Sequence, residues 1–333
     1  MKFHRFLFCL VIFFFSHQYV SGSNIDEIIS SLSDNESSER VKSALLLGEL
    51  GDKRAVGPLI GVLKDKDWEV RNAAVDSLGR LGGTDAVAPL IESLHDENGT
   101  VRVAAIASIE KIGDERGVDP LIKLLKDDYG PVRKRAIYAL RRFKDKRAVE
   151  PIISLLDDRD WGVRGTAAWA LGELGDPRAV EPLIPSLIDV HWSVRSNALY
   201  ALAAFGKSAV VPLIGALKDK NEDLRYAAAG TLGEIRDPDS IGPLMDLFSD
   251  EDQDVRMTAA YSIARIGRLA LKPLISALKD GSSDIKIGAL FALGEIGDLD
   301  AIEPLKGLSG DPDNNVKVAA KEAIEKIEER NKR

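Results

Sequence analysis

The sequence predicts an all-α fold, an α-solenoid built from ten helical hairpins, and three regularities predict it. Arg164 recurs as Arg40, Arg71, Arg102, Arg133, Arg195, Arg225 and Arg256, then as Lys286 and Lys317, in steps of 31 residues with two steps of 30. Six residues before each basic residue stands an aspartate, from Asp34 to Asp311. A proline stands 13 residues before nine of them, from Pro58 to Pro304. A period of this length marks a supersecondary unit that cannot bury its apolar face alone and must stack on its neighbours.

Asp158–Leu187 shows how one repeat is built. The first helix opens at an aspartate able to cap free backbone N–H groups, with proline at the first helical position in Asp176-Pro177 and Asp237-Pro238. Its apolar face is Leu183, Ile184 and Leu187. The recurring proline lies several residues inside and removes a backbone donor, so this helix is expected to be bent or irregular at its start. The second helix runs from about Gly162 to Leu174. It ends at a glycine, as do the helices before Gly51, Gly82, Gly113, Gly206, Gly267 and Gly297, because glycine accepts the left-handed conformation of a helix terminus. Val163, Ala167, Ala170, Leu171 and Leu174 fall on one face of it. Ala167 recurs in every later repeat and as Ala74, Ala105 and Ala136, with Ser43 in the first repeat, which lets neighbouring helices approach closely.

The ends differ as solenoid caps must. Glu27 stands where the other repeats have proline, Glu39 where most of them have valine, and Lys321, Glu322, Glu325, Lys326, Glu328 and Glu329 make the final helix polar.

The motif V-R-x-x-A-A-x-A-L-G-x-L-G-D-x-R-A-V-x-P-L-I resembles the short HEAT-like repeat of the phycobilisome-lyase type, over about residues 24–333. The resemblance implies a HEAT/armadillo-like superhelix in which the second helices line a concave surface. It also brings three activities to weigh. Phycobilin lyases act on tetrapyrroles, and a lyase or lyase accessory is the alternative to a binding role. The iron-dependent deoxyhypusine hydroxylases of this type use His-Glu pairs, and no His-Glu dipeptide occurs here. HEAT-like DNA glycosylases use a basic concave surface.

Residues 1–22 read as a signal peptide and 23–333 as the solenoid, whose first repeat starts directly after the expected cleavage point. Lys2 and Arg5 precede an apolar run from Phe6 to Phe15, and Val20 and Gly22 suit the −3 and −1 positions. The run is short of the ~20 residues needed to span a bilayer; an uncleaved anchor reaching Val20 is the competing reading. Export to the periplasm, the cell surface or the medium follows, and membrane attachment only if the segment is kept. The single cysteine, Cys9, lies in this segment, so the mature chain has neither a disulfide nor a thiolate.

The formal charge of −8 becomes −10 without Lys2 and Arg5, which disfavours a polyanion and hence nucleic acid. Of the histidines His4, His17, His95 and His191, two survive cleavage, three repeats apart, so no metal ligand set is expected. Neither a catalytic residue nor a cofactor is expected. Glu173, Glu234 and Glu295 read as a solvated face. The Arg and Asp ladders read as packing devices, each Arg pairing with an Asp of its own or the next repeat. A local basic patch comprises Arg133, Lys134, Arg135, Arg141 and Arg142.

Aromatic residues distinguish the repeats. Five residues after the ladder position, successive repeats carry Tyr138, Trp169, Tyr200, Gly230, Tyr261 and Phe291, opposite the buried face. Trp161 and Trp192 stand at the rim, and Tyr226 and Met257 one residue after the ladder arginine. Gly165, at that last position, is expected to leave a notch beside Trp169. These residues form the expected partner-binding stripe of a non-catalytic, exported scaffold, whose partner is a protein or peptide or else a surface glycan. The competing expectation is that the rings only fill grooves between helices. Asn35-Glu36-Ser37 and Asn98-Gly99-Thr100 fit the N-glycosylation pattern.

Overall fold

A computed structural model of the chain describes residues 25–332, and the segment read as a signal peptide lies outside them. The described residues form helices and no strand, and the chain divides after Pro151 into two compact lobes. Among the described residues the N-terminal lobe holds four long helices: α1 (Ser37–Leu50), α2 (Trp68–Leu81), α3 (Gly99–Ile112) and α4 (Gly130–Phe143). The C-terminal lobe holds six: α5 (Trp161–Leu174), α6 (Trp192–Phe205), α7 (Glu222–Ile235), α8 (Gln253–Ile266), α9 (Ser283–Ile296) and α10 (Asn314–Asn331). These are the second helices of the repeats, and the solenoid architecture is as the periodicity predicts.

The first helices explain the proline. Most open with a single 3₁₀ turn whose preceding aspartate takes a backbone N–H, as Asp52 does from Arg54 and Asp114 from Arg116, both at 2.9 Å. The α-helical segment starts after that turn, at Val56, Val118 or Ile241, so Pro58, Pro120 and Pro243 fall at its third residue. The 3₁₀ turn before the segment already supplies helical acceptors, since the Val56 N–H donates to the Lys53 carbonyl and that of Val118 to Glu115. The proline two residues on therefore removes a donor inside a helical turn, and the helix is irregular at its start as expected from the sequence. The two 30-residue steps are different. There Gly206 and Gly267 replace the Gly-Asp junction, and the first helices Lys207–Ala216 and Leu271–Asp280 run as continuous ten-residue α-helices.

Close packing of long helices rests on one glycine, eight residues past the ladder position. A Cβ on Gly48 would lie 2.5 Å from Ser77 Oγ, one on Gly233 2.6 Å from Ser262 Oγ, and one on Gly172 2.7 Å from the Ala201 backbone. The neighbouring helix approaches so closely that Ser77 Oγ donates to the Ala44 carbonyl at 2.7 Å and Ser108 Oγ to that of Val75 at 2.9 Å. Ala74, Ala105, Ala136, Ala167 and their equivalents are buried beneath these contacts. The same turn of the repeat also needs a left-handed residue, which Gly51, Gly113, Gly175 and Gly297 supply; Lys144 and Arg236 take that conformation without glycine's freedom.

At the opposite end of each hairpin the ladder joins consecutive repeats. Arg71 Nε and Nη2 grip the Asp96 carboxylate at 2.7 and 2.9 Å, while Nη1 donates to its own repeat's Asp65 carbonyl at 2.8 Å. Arg40–Asp65, Arg102–Asp127, Arg164–Asp189 and Arg225–Asp250 repeat the fork, and Lys286–Asp311 keeps one bond of it. Each such aspartate also takes a backbone N–H two residues on, as Asp189 does from His191 at 2.8 Å, which shapes the turn into the next long helix.

Arg225 and Asp250 are both about 8% exposed. Arg225→Ala leaves the carboxylate buried and unpaired and is expected to cost about 3 kcal/mol in urea unfolding, whereas Arg195→Ala, at a site without a fork, costs less than about 1 kcal/mol.

The Arg40 fork holds the Asp65 carboxyl below its ordinary range, and Arg164 and Lys286 do the same for Asp189 and Asp311. A depressed carboxyl pKa contributes stability in full above the unfolded value of about 3.9 and loses it as pH falls through the folded value. The urea midpoint is therefore expected to hold from pH 7 to about 5 and drop below about pH 4. Asp189→Asn lowers the midpoint at pH 7 and flattens that drop.

Candidate functional site

Within the C-terminal lobe the long helices bury their alanine and leucine face and turn the opposite side outward. The residue five past the ladder position therefore projects outward. Tyr200 and Tyr261 are 51% and 48% exposed there, while Trp169 and Phe291 are half-buried. Tyr226 is 49% exposed and Met257 half-buried one residue past the ladder arginine. In the N-terminal lobe Tyr138, on α4, is also partly exposed. Tyr200, Tyr226 and Tyr261 are thus solvent-facing, whereas the Phe291 ring packs edge-on against Tyr261 at 4.8 Å with Lys326 Nζ 5.4 Å from its centroid. Some rings of the row thus face solvent, and Phe291 packs into the groove beside Tyr261.

Trp161 and Trp192 are the first residues of α5 and α6 and sit at the helix N-terminal rim, 51% and 67% exposed. Between them lies His191, whose ring stacks on Trp161 at 3.8 Å and 8° and meets Trp192 at 6.2 Å. The imidazole is held by capping, since Nδ1 accepts from the Ser193 backbone N–H at 3.3 Å and lies 2.8 Å from Ser193 Oγ. Among the described residues no group of three His, Cys, Asp or Glu side chains could hold a metal ion.

Two sequence expectations are corrected here. Gly165 leaves no notch beside Trp169: it is buried, its carbonyl takes a 2.8 Å bond from Asn197 Nδ2, and a Cβ there would lie 3.3 Å from that same nitrogen. The glycine marks a close approach of α5 and α6. Glu295 is not on a solvated face but is enclosed between neighbouring long helices, whereas Glu173 and Glu234 are exposed, Glu234 also bridging to the next long helix. Glu234 pairs with Arg265 at 2.6 Å, and Glu295, 13% exposed, pairs with Lys326 and, at 2.6 Å, with Arg330. Glu173 takes the Tyr200 hydroxyl at 3.3 Å.

The open space lies one helix pair further on. A cleft of about 540 Å³ opens between α6, α7 and α8, lined among others by Leu187, Leu199, Gly230, Tyr226 and Tyr261. Three local features make room for it. The step from Arg195 to Arg225 is one residue short, Ala203 stands where close pairs have glycine, and Thr231, opposite it, turns its hydroxyl onto its own helix at Ala227 O, 2.7 Å away. A Cβ on Gly230 would meet only Thr258 Cγ2, at 3.7 Å, so the position that lacks the aromatic of the row lines the cleft. The shortened step was visible in the sequence, but its consequence was not.

The basic patch of the N-terminal lobe is divided. Arg133 is a buried ladder residue whose Nη1 donates to the Asp127 carbonyl at 2.7 Å. Arg135 pairs with Glu110 at 2.5 Å and Arg141 is half-buried, leaving Lys134 and Arg142 exposed.

Gly172→Ala is expected to lower stability by about 1–3 kcal/mol because the added methyl meets the α6 backbone. Gly230→Ala, in open space within a helix, is expected to raise it by about 0.5–1 kcal/mol. Urea titration of the two variants checks both signs.

Comparison with known proteins returns one family model, described as HEAT repeats, matching residues 25–110, 73–141, 118–203, 180–264 and 271–332. A comparison with curated proteins gives no match. Among solved structures, Kap121p aligns with a TM-score of 0.64 at 15% identity over 91% of this chain and 41% of its own. Importin beta aligns with a TM-score of 0.59 at 14% identity, over 91% of this chain and 52% of its own. Kap95p, whose binding induces the switch loops of RanGDP to adopt the GTP-bound conformation, gives 0.58 at 13% identity, over 94% and 52%. The chain spans about half or less of these karyopherins, and at such identities the likeness shows the fold alone.

Proposed function

The chain belongs to the HEAT-repeat family, and on that premise we propose that it is an exported, non-catalytic scaffold that holds a segment of a partner protein against the outward face of α5 to α8. The observation carrying this reading is the row of half-exposed rings beside an open cleft. Trp161, Trp192, Tyr200, Tyr226 and Tyr261 are each about half or more exposed, in one lobe, next to a cleft of about 540 Å³. Large aromatic side chains bury much area for little loss of rotamer freedom, and exposed clusters of them mark interaction sites. The ladder and the glycine contacts join α5 to α6 and α7 to α8, which carry them. The karyopherin likeness is compatible with a protein partner.

Export is part of the proposal and rests on residues 1–22 alone. Among the described residues no helix is long and apolar enough to cross a membrane, so attachment would come through that segment if it were kept. The steps of 30 and 31 residues support the short, phycobilisome-lyase type of HEAT-like repeat rather than a longer one.

Affinity capture from the native cell envelope with the mature chain, followed by titration monitored through Trp fluorescence, tests the proposal. Tyr200→Ala with Tyr226→Ala is expected to weaken binding of the captured protein at least about tenfold, at unchanged helical content. Undiminished binding would leave the rings as groove filling. Capture of a polysaccharide would turn the reading to a surface glycan, and a spectral shift of added bilin or haem would turn it to the lyase alternative.

A further inference from the structure

The cleft between α6, α7 and α8 also contains the end of a broken ladder. In the intact rungs the arginine fork closes on the aspartate 25 residues further on, with nitrogen–oxygen distances of 2.6 to 2.9 Å. The aspartate facing Arg195 is Asp219, only 24 residues on, because this step is one residue short. Asp219 and Arg195 are both exposed. Arg195 keeps the backbone half of the rung, donating from Nη1 to the Asp189 and Val190 carbonyls at 2.8 and 3.3 Å. Its Nε and Nη2 have no hydrogen-bond acceptor among the described residues.

Arg195 is one of the residues lining the cleft. The other charged groups of the lining, Glu234 and Arg265, satisfy each other at 2.6 Å. The lining therefore carries one unbalanced positive charge, with two donors in the planar fork that matches a carboxylate. Beside it lie Leu187, Leu199 and the rings of Tyr226 and Tyr261, an apolar wall for a large side chain. Intact rungs of the same molecule show which group this fork accepts.

We propose that this cleft binds an acidic peptide segment of a partner protein, whose Asp or Glu carboxylate closes the Arg195 fork while a neighbouring Leu or Phe side chain packs between Tyr226 and Tyr261. This rests on the interaction-scaffold reading and names the chemistry of its partner. The arginine held through Nη1 is already oriented, so the carboxylate meets a pre-organised donor pair. Replacement of the acid by its amide leaves the fork half-satisfied and discriminates strongly.

Fluorescence anisotropy with the mature chain and a panel of labelled synthetic peptides, each with one Asp or Glu within three residues of a Leu or Phe, tests this. A matched panel carries Asn or Gln instead. The best acidic peptide is expected to lose at least about tenfold in affinity on Arg195→Gln and as much when its acid becomes the amide, with little further loss when both changes are combined. The Arg195 Nε–Hε resonance is expected to shift on addition of the acidic peptide and not of the amide. Arg195→Gln breaks no fork, so the fold persists, and circular dichroism verifies it. The inference is overturned if no acidic peptide binds below about 1 mM, if acid and amide bind alike, or if Arg195→Gln binds within about twofold of the parent. Loss of binding on Tyr226→Ala but not on Arg195→Gln would leave the interaction surface standing and remove its carboxylate specificity.

Discussion

A guanidinium that reaches across a turn to the next repeat's aspartate is the interaction on which the stacking depends. It closes a fork on a carboxylate, and with its third nitrogen it ties down the carbonyl of its own repeat. The same carboxylate then takes a backbone N–H that sets the entry of the following long helix. One side chain pair thus couples the register of two hairpins to the geometry of a turn. A lysine can hold the distance, as Lys286 does with Asp311, but offers a single point contact where arginine offers a planar pair.

The ladder works at one end of the hairpins; the glycine eight residues later works along the long helices. Where glycine faces serine or alanine, backbones approach until the serine hydroxyl reaches a carbonyl of the neighbouring helix. Where Ala203 faces Thr231 instead, and the step is one residue short, both devices lapse together between α6 and α7. The result is the cleft. The step from Arg256 to Lys286 is short as well, so the individuality of the array comes from the joints that depart.

The surface chemistry follows from that departure. Elsewhere on the face Phe291 packs edge-on against Tyr261 and is half-buried, while Tyr200 reaches Glu173 with its hydroxyl and stays exposed. At the cleft, Gly230 withholds a ring, while Tyr226 and Tyr261 both line the space.

Periodicity alone determined the all-α class, the ten hairpins, the long-helix boundaries within a residue or two, and the pairing of Arg with Asp. A contact repeated in every copy leaves its mark at every period, and a helix terminus needs a residue type that can be read directly. Tertiary structure decided the rest. It placed Gly165 in a close helix contact rather than a notch, joined Glu234 and Glu295 to the next helix, and divided the basic patch by burying Arg133. These outcomes depend on which atoms of the adjacent repeat come within reach, a distance of a few ångströms that spacing along one chain does not encode. The shortened step before Arg225 was legible as a number, but only packing decided that it would open the ladder rather than be absorbed by the turn.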